Sequence, residues 1–365
     1  MESSHPHAPG RGTMNATQRP GPPAAPASPA PAPPAPTASS PETTAPAVEV
    51  TGLVKRYGDL TAVDGLSLRI PRGQILGLLG PNGSGKTTTI SCLLQLLTYD
   101  RGEVRVFGKK MAATAYGLKR RIGLIPQEVA VIDELTVREN IDAFCALYVT
   151  DRARRRELVE EAIAFVGLER FTKFHPKKLS GGLLRRLNIA CGIAHKPELI
   201  ILDEPTVAVD PQSRESILQG IRRLNADGAT IIYTSHYMEE VEELCDRIVI
   251  MDHGREVASG TSAELKAMIG TGERITVEVV DPTPLPDAAL ESVRSLPCVR
   301  SATTSADAAA STELTVECRP GGHNLADVLA ALAASGAVVG RVTSEPPTLN
   351  EVFLEITGRA LRDEA

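Results

Sequence analysis

Residues Gly80-Pro81-Asn82-Gly83-Ser84-Gly85-Lys86-Thr87-Thr88 fit the spacing G-x-x-x-x-G-K-[ST] of a phosphate-binding loop. Gly80, Gly83 and Gly85 let the backbone turn and approach a phosphate with no Cβ in the way. Free N–H groups at the start of the following helix, with its dipole, favour an anion. Lys86 adds a full positive charge near the β- and γ-phosphates, and Thr87 offers a hydroxyl to Mg²⁺. Taken alone, the same spacing also occurs in ordinary Gly-rich turns.

Three further stretches carry chemistry. Asp203 and Glu204 end an apolar run from Glu198, so two acids sit at the C-terminal end of a predicted buried strand, where open α/β sheets bind ligands. A buried charged pair is costly unless it serves a metal or a reaction. Asp203 is read as reaching Mg²⁺ through water and Glu204 as the base that orients an attacking water; a plain acidic strand-to-loop corner is the alternative. Ser180-Gly181-Gly182 precedes a helix predicted from Leu183 to about His195. Its free N–H groups suit a second anion, or a simple helix cap. His236 closes the apolar run Thr230–Ser235, where it could cap, pack, or donate to a γ-phosphate.

These residues need a scaffold, and the apolar periodicity supplies one. Strands are predicted over 48–53, 62–70, 74–79, 102–108, 122–127, 198–205, 230–236, 247–251 and 256–260. Helices are predicted over 89–97, from Thr136 (N-cap of a capping box with Glu139) through Tyr148, and from Asp151 to Val166. Arginines in the last alternate with glutamates, as on a solvated, ion-paired face. Tyr57, shortly before the phosphate loop, could stack on a nucleotide base or pack at a strand end.

Composition narrows the class. The chain has 365 residues, 42% apolar, with net charge −6, which argues against a nucleic-acid partner. Six scattered cysteines show no zinc spacing and read as reduced, mostly buried thiols. No apolar run reaches the ~18 residues of a membrane span, and no apolar leader segment precedes the fold. Residues 1–46 hold 13 of the 27 prolines and read as a disordered Pro/Ala-rich tail, with Met14 an alternative start.

Five signals in fixed order (the phosphate loop, Gln127, Leu179-Ser180-Gly181-Gly182, Asp203-Glu204 and His236) resemble the ATP-binding subunit of ATP-binding cassette (ABC) transporters. The resemblance spans about Val48 to Gly270. It implies a P-loop NTPase, RecA-like α/β cassette (residues 47–270) with an inserted helical subdomain (about 128–190). It implies ATP and Mg²⁺ as ligands. Tyr57 is similar to the adenine-stacking aromatic, and Gly80 to Thr88 to Walker A. Gln127 sits at the Q-loop, touching Mg²⁺ together with Thr87 and Asp203. Leu179 to Gly182 resembles the signature, Val207 to Asp210 the D-loop, Glu204 the catalytic glutamate and His236 the switch histidine.

Two departures stand out: Leu183 follows the signature where Gln is common, and Ala208 occupies a D-loop position where Gly is common. If that position needs positive φ, Ala costs about 1 kcal/mol or more. The stretches Asp133–Asn140 and Pro347–Gly358 are similar to the ABC-2 type, daunorubicin-resistance-like exporter ATPases.

From about Thr271 the order β-α-β-β-α-β suggests a small α+β, ferredoxin-like C-terminal domain (271–365), with Asn324 as a helix N-cap. The resemblance implies a homodimer that holds two ATP. Each lies between one chain's phosphate loop and the other's signature. It also implies a separate integral-membrane permease, with this chain peripheral on the cytoplasmic side of a bacterial plasma membrane. An importer ATPase subunit shares every ATP motif. A soluble ABC ATPase outside transport would typically carry two cassettes or a long coiled-coil insertion.

Overall fold

The computed structural model describes residues 45–270, 272–281, 284–306 and 312–358. The expected N-terminal tail lies outside these, apart from Ala45 and Pro46. The chain runs β1 (Val48–Tyr57), β2 (Leu60–Ile70), β3 (Ile75–Leu79), α1 (Lys86–Leu93), β4 (Arg101–Val106), β5 (Lys109–Lys110), α2 (Tyr116–Lys119) and β6 (Ile122–Ile125). Next come α3 (Val137–Ala146), α4 (Arg152–Val166), α5 (Gly181–Ile193), β7 (Leu199–Asp203), α6 (Pro211–Ala226), β8 (Thr230–Ser235), α7 (Met238–Leu244), β9 (Arg247–Asp252), β10 (Arg255–Gly260) and α8 (Ser262–Ala267). The last stretch is β11 (Arg274–Asp281), α9 (Asp287–Arg294), β12 (Val299–Ala306), β13 (Thr312–Cys318), α10 (Asn324–Ala334), β14 (Val338–Glu345) and α11 (Leu349–Thr357).

The central sheet has the order β10-β9-β3-β8-β7-β6. Its four pairings from β9 to β6 run parallel, and only β10 is antiparallel. Every residue of β3, β7 and β8 is buried, as a parallel sheet covered on both faces requires. The faces alternate. Ile75, Leu79, Ile200 and Leu202 enter one core with the helical block, while Leu76, Leu78, Leu199 and Ile201 enter a second. That second core is closed by the antiparallel sheet β2-β1-β4-β5. Among the cysteines, burial pushes Cys191 up to about 12, so it is a packed thiol at neutral pH.

The first helix departs from expectation. It starts at Lys86 and ends at Leu93, where the sequence suggested 89–97. Gln95 adopts φ 53° and breaks the helix although apolar residues continue to Leu97. The Thr136–Glu139 capping box forms as expected.

The C-terminal sheet, β12-β13-β11-β14, is antiparallel throughout, with α9 and α10 contributing to its core. This is the ferredoxin-like arrangement. His323, not Asn324, is the N-cap of α10; Asn324 is buried inside the helix start and donates to the Arg319 carbonyl. Helix α11 then leaves this unit and places Leu349, Val352 and Phe353, all fully buried, in the core beside the helical block.

Candidate active site

Four of the sequence signals leave from the C-terminal ends of neighbouring parallel strands. The phosphate loop follows β3, Gln127 follows β6, Glu204 follows β7 and His236 follows β8. Register brings the ends level: Leu79 pairs with Ser235, Asp203 with Thr234, and Ile125 with Leu202.

Two glycines of the loop have no room for a side chain. A Cβ on Gly80 would lie 2.4 Å from the Met251 carbonyl oxygen, and one on Gly85, at φ 101°, 2.4 Å from that of Ala62. Gly85 is also the N-cap of α1 and supplies no side-chain cap, so the first N–H groups of the helix are left for an outside acceptor. Within the loop the Ser84 hydroxyl is buried with no protein partner. A buried polar atom without a partner, beside an uncapped helix start and a cation, fits a phosphate chain.

Lys86 is 4% exposed. Its Nζ donates to the Gly80 and Pro81 carbonyls at 2.8 and 3.1 Å and lies 3.6 Å from Glu204 Oε1. Thr87 Oγ1 donates to Asp203 Oδ2 at 3.0 Å, and Thr234 Oγ1 to Asp203 Oδ1 at 2.6 Å. Gln127 Nε2 reaches Glu204 Oε2 at 3.4 Å, and His236 Nδ1 lies 3.4 Å from the same oxygen without hydrogen-bond alignment. A hydroxyl, a carboxylate and an amide oxygen form the hard-oxygen donor set that suits Mg²⁺.

Apart from the Pro81 carbonyl, the remaining expected site residues take no part in these contacts. Pro81, Asn82 and Gly83 form the outer rim of the loop, and Thr88 follows on α1. Tyr57 stands apart at the end of β1, 46% exposed, with Lys55 Nζ 4.9 Å from its ring centroid. Ser180 is the N-cap of α5 and accepts from the Leu183 amide, so that helix opens at Gly181, two residues before the expected start. Leu179 packs on the core. Gly182 faces the D-loop: a Cβ there would lie 2.4 Å from Ser213 Oγ and 3.0 Å from Asp210 Oδ2. Asp210 caps α6 through the Ser213 amide, and its bonds with Ser213 hold its carboxyl below the usual range.

Two non-glycine residues here have left-handed backbone. Glu204 has φ 46° and Ala208 has φ 57°; each such conformation costs roughly 1–2 kcal/mol. At Ala208 nothing but geometry is at stake. Ala208→Gly is expected to raise stability by up to about 1 kcal/mol, less what the glycine adds to unfolded-chain entropy. The check is the urea midpoint at unchanged m-value; an equal or lower midpoint refutes it.

Several site residues had no signal in the sequence reading. Thr234 holds both acids in place, since its hydroxyl also accepts from the Glu204 amide at 2.9 Å. Glu240, 3% exposed, accepts from Thr206, Tyr233 and Ser235 hydroxyls at 2.7, 2.6 and 3.2 Å, joining the loop after Glu204 to the one carrying His236. Arg185 and Asn188 of α5 are buried and bond to backbone after β6 and, for Arg185, after β7. Polar residues spaced i, i+3 among the apolar Leu184, Leu187 and Ile189 were the available clue.

Comparison with known proteins agrees with this geometry. Residues 63–207 match the family described as ABC transporter, and residues 260–357 match the family described as ATP-binding protein DrrA1-3-like, C-terminal domain. The chain is 38% identical over 318 residues to the linearmycin resistance ATP-binding protein LnrL of Bacillus subtilis, covering 87% of this chain and all of that one. It is 38% identical over 312 residues to the daunorubicin resistance ATP-binding protein DrrA3 of Streptomyces coeruleorubidus, covering 86% and 96%. Among solved structures, the ATP-binding cassette MJ0796, a dimer in a post-hydrolysis state bound to ADP and Pi, superposes with TM-score 0.55 at 28% identity, covering 59% of this chain and 98% of that one. With end-to-end relatives, matches to both families and a phosphate loop set against Asp203 and Glu204, the chain belongs to the ATP-hydrolysing, ATP-binding subunits of ABC transporters, in the daunorubicin-resistance-like subfamily.

Proposed function

We propose that two copies of this chain close head to tail around two ATP and drive a separate ABC-2 type membrane permease that exports a drug or lipid-like substrate. Each ATP is held between the phosphate loop of one copy and Ser180-Gly181-Gly182 of the other. One observation carries the reading. The phosphate loop, Asp203, Glu204, Gln127 and His236 form one cluster, while the signature residues open a different helix and face Asp210 and Ser213. Two anion sites of complementary design lie on one chain, and a second copy brings them together. The match to a DrrA1-3-like C-terminal domain favours export over import. Among the described residues no helix is long and apolar enough to cross a membrane. In this reading a separate permease spans the membrane and this chain sits peripherally on its cytoplasmic side.

In this reading the Lys86 ammonium and the α1 amides bind the β- and γ-phosphates, and Tyr57 stacks on adenine. Thr87, Asp203 and Gln127 hold Mg²⁺, which when bound neutralises phosphate charge. Glu204 accepts the proton of the water that attacks the γ-phosphorus as the bond to the β-phosphate oxygen breaks. His236, whose Nδ1 lies 3.4 Å from Glu204 Oε2, donates a hydrogen bond from Nε2 to the γ-phosphate.

The test is Glu204→Gln, which keeps the shape of the corner and removes the base. With MgATP the variant is expected to elute at twice the protomer mass, and with ADP at the protomer mass. Tagged protein recovered from membranes is expected to bring an integral membrane protein with it. A variant that turns over ATP at the wild-type rate, or recovery only with ribosomes, overturns the proposal.

A further inference from the structure

We propose that Arg185 is the positioning residue through which the signature helix of a chain sets the catalytic corner of that same chain. ATP engaged at Ser180-Gly181-Gly182 is thereby felt at the Gln127 and Glu204 that serve the other ATP. The inference rests on the composite-site reading above.

Arg185 sits on α5, one turn after the signature residues, and is 4% exposed. Its guanidinium donates to five main-chain carbonyls. Nε reaches Pro205 O at 2.7 Å; Nη1 reaches Pro126 O at 3.1 Å and Gln127 O at 2.7 Å; Nη2 reaches Asp203 O at 3.3 Å and Glu204 O at 2.6 Å. A guanidinium offers five N–H donors in a rigid planar fork. The acceptors belong to the corners after β6 and β7 and to Asp203, the last residue of β7, where the sheet ladder ends and carbonyls need other donors. Burial pulls the pKa of Arg185 down, and the nearby Asp203, Tyr233 and Glu204 oppose this. One turn on, Asn188 Nδ2 donates to Pro126 O at 3.3 Å and its Oδ1 accepts from the Ala130 amide at 3.1 Å. Helix α5 therefore holds the Gln127 loop by two side chains and the Glu204 corner by one.

The Glu204 bond decides what this does. A left-handed glutamate persists only when its surroundings fix it from more than one side. Glu204 is held at φ 46° by its amide, donated to Thr234 Oγ1, and by its carbonyl, which accepts from Arg185. Thr234 belongs to the sheet; Arg185 belongs to the helix that the partner's ATP caps. A shift of α5 must move the Glu204 and Gln127 backbones or break these bonds. No shorter or less planar side chain spans both corners.

Arg185→Lys and Arg185→Ala test this, with turnover and nucleotide affinity measured separately. The expected result is a kcat lower by roughly 10²-fold, since an ångström of misplacement is enough, with KM for ATP nearly unchanged and cooperativity between the two sites lost. Methylguanidinium is expected to restore kcat in Arg185→Ala and to do nothing for Glu204→Gln. A general loss of packing would not be repaired by one small cation. If Arg185→Ala fails to fold, Arg185→Lys carries the test. Wild-type kcat and cooperativity in Arg185→Lys, or a folded Arg185→Ala that the cation does not repair, overturns the proposal. The composite reading is separable, because Glu204→Gln, Arg185→Lys is expected still to form the MgATP dimer. Failure of Glu204→Gln alone to dimerise sinks that reading first.

Discussion

Lys86→Met is expected to lower ATP turnover by roughly 10²–10³-fold, the usual cost of losing a preorganised donor to transition-state charge, and to weaken ATP binding as well. The binding loss separates it from Glu204→Gln, which should keep ATP and lose only hydrolysis. The ammonium is buried and already aimed, held by the Gly80 and Pro81 carbonyls 2.8 and 3.1 Å away. Little reorganisation is needed when a triphosphate arrives, so the charge acts at nearly full strength. A second consequence follows from Glu204, 3.6 Å away, and Asp203, which are 5% and 4% exposed. Removing the cation leaves buried carboxylates less compensated, and the variant should melt at a lower temperature. Lys86→Met, Glu204→Gln relieves one of those charges and should recover part of the stability, with no recovery of ATP binding. Equilibrium titration with a fluorescent ATP analogue, beside phosphate release at saturating ATP, reads both effects. A Lys86→Met protein that melts early yet binds ATP normally would make Lys86 only a clamp on its own loop.

The residues proposed to touch phosphate were the ones most legible in the sequence, for a physical reason. Their chemistry demands fixed types at fixed spacing, and the phosphate loop, Glu204 and His236 each follow a short apolar run that reads as a buried strand. The capping box at Thr136 was legible on the same terms, since both of its bonds are local. What escaped the reading depends on contacts distant in sequence. Arg185 sits in Leu183-Leu184-Arg185-Arg186 and looks like surface charge until the corners 58 and 19 residues away close over it. Glu240 is one of four glutamates near one helix; only the fold shows that it faces Tyr233 and Thr206. The end of α1 was missed because Leu94, Leu96 and Leu97 prolong the apolar pattern past the break at Gln95. Nothing local announces that α11 returns from the ferredoxin-like unit to place Phe353 in another core. The expected strand order there was correct, but which strands become neighbours was visible only in the sheet.

The largest qualitative effect should come from mixing two inactive proteins. Ser180→Arg places a bulky cation at the N-cap of α5, where the hydroxyl now bonds the Leu183 amide, and should abolish turnover because a partner's ATP can no longer seat there. Lys86→Met abolishes it through the phosphate loop. In a head-to-tail dimer with one copy of each, one composite site carries both lesions and the other carries neither. If copies assort at random, half the dimers are mixed and each has one intact site, so activity should return to about a quarter of wild type when the sites act independently. Coupling through Arg185 would pull the value below that figure without bringing it to zero. A site completed within a single chain predicts no recovery, because every chain is defective. The outcome therefore separates the two geometries by presence against absence of turnover. It also decides how the phosphate loop works. Recovered turnover would mean that Gly80–Thr88 orients a triphosphate through Lys86 and the uncapped helix, while closure over that triphosphate depends on Ser180–Gly182 of the other copy. A mixture as dead as its components, with both proteins folded and exchanging subunits, would confine each ATP to one chain and remove the reason for two anion sites of complementary design.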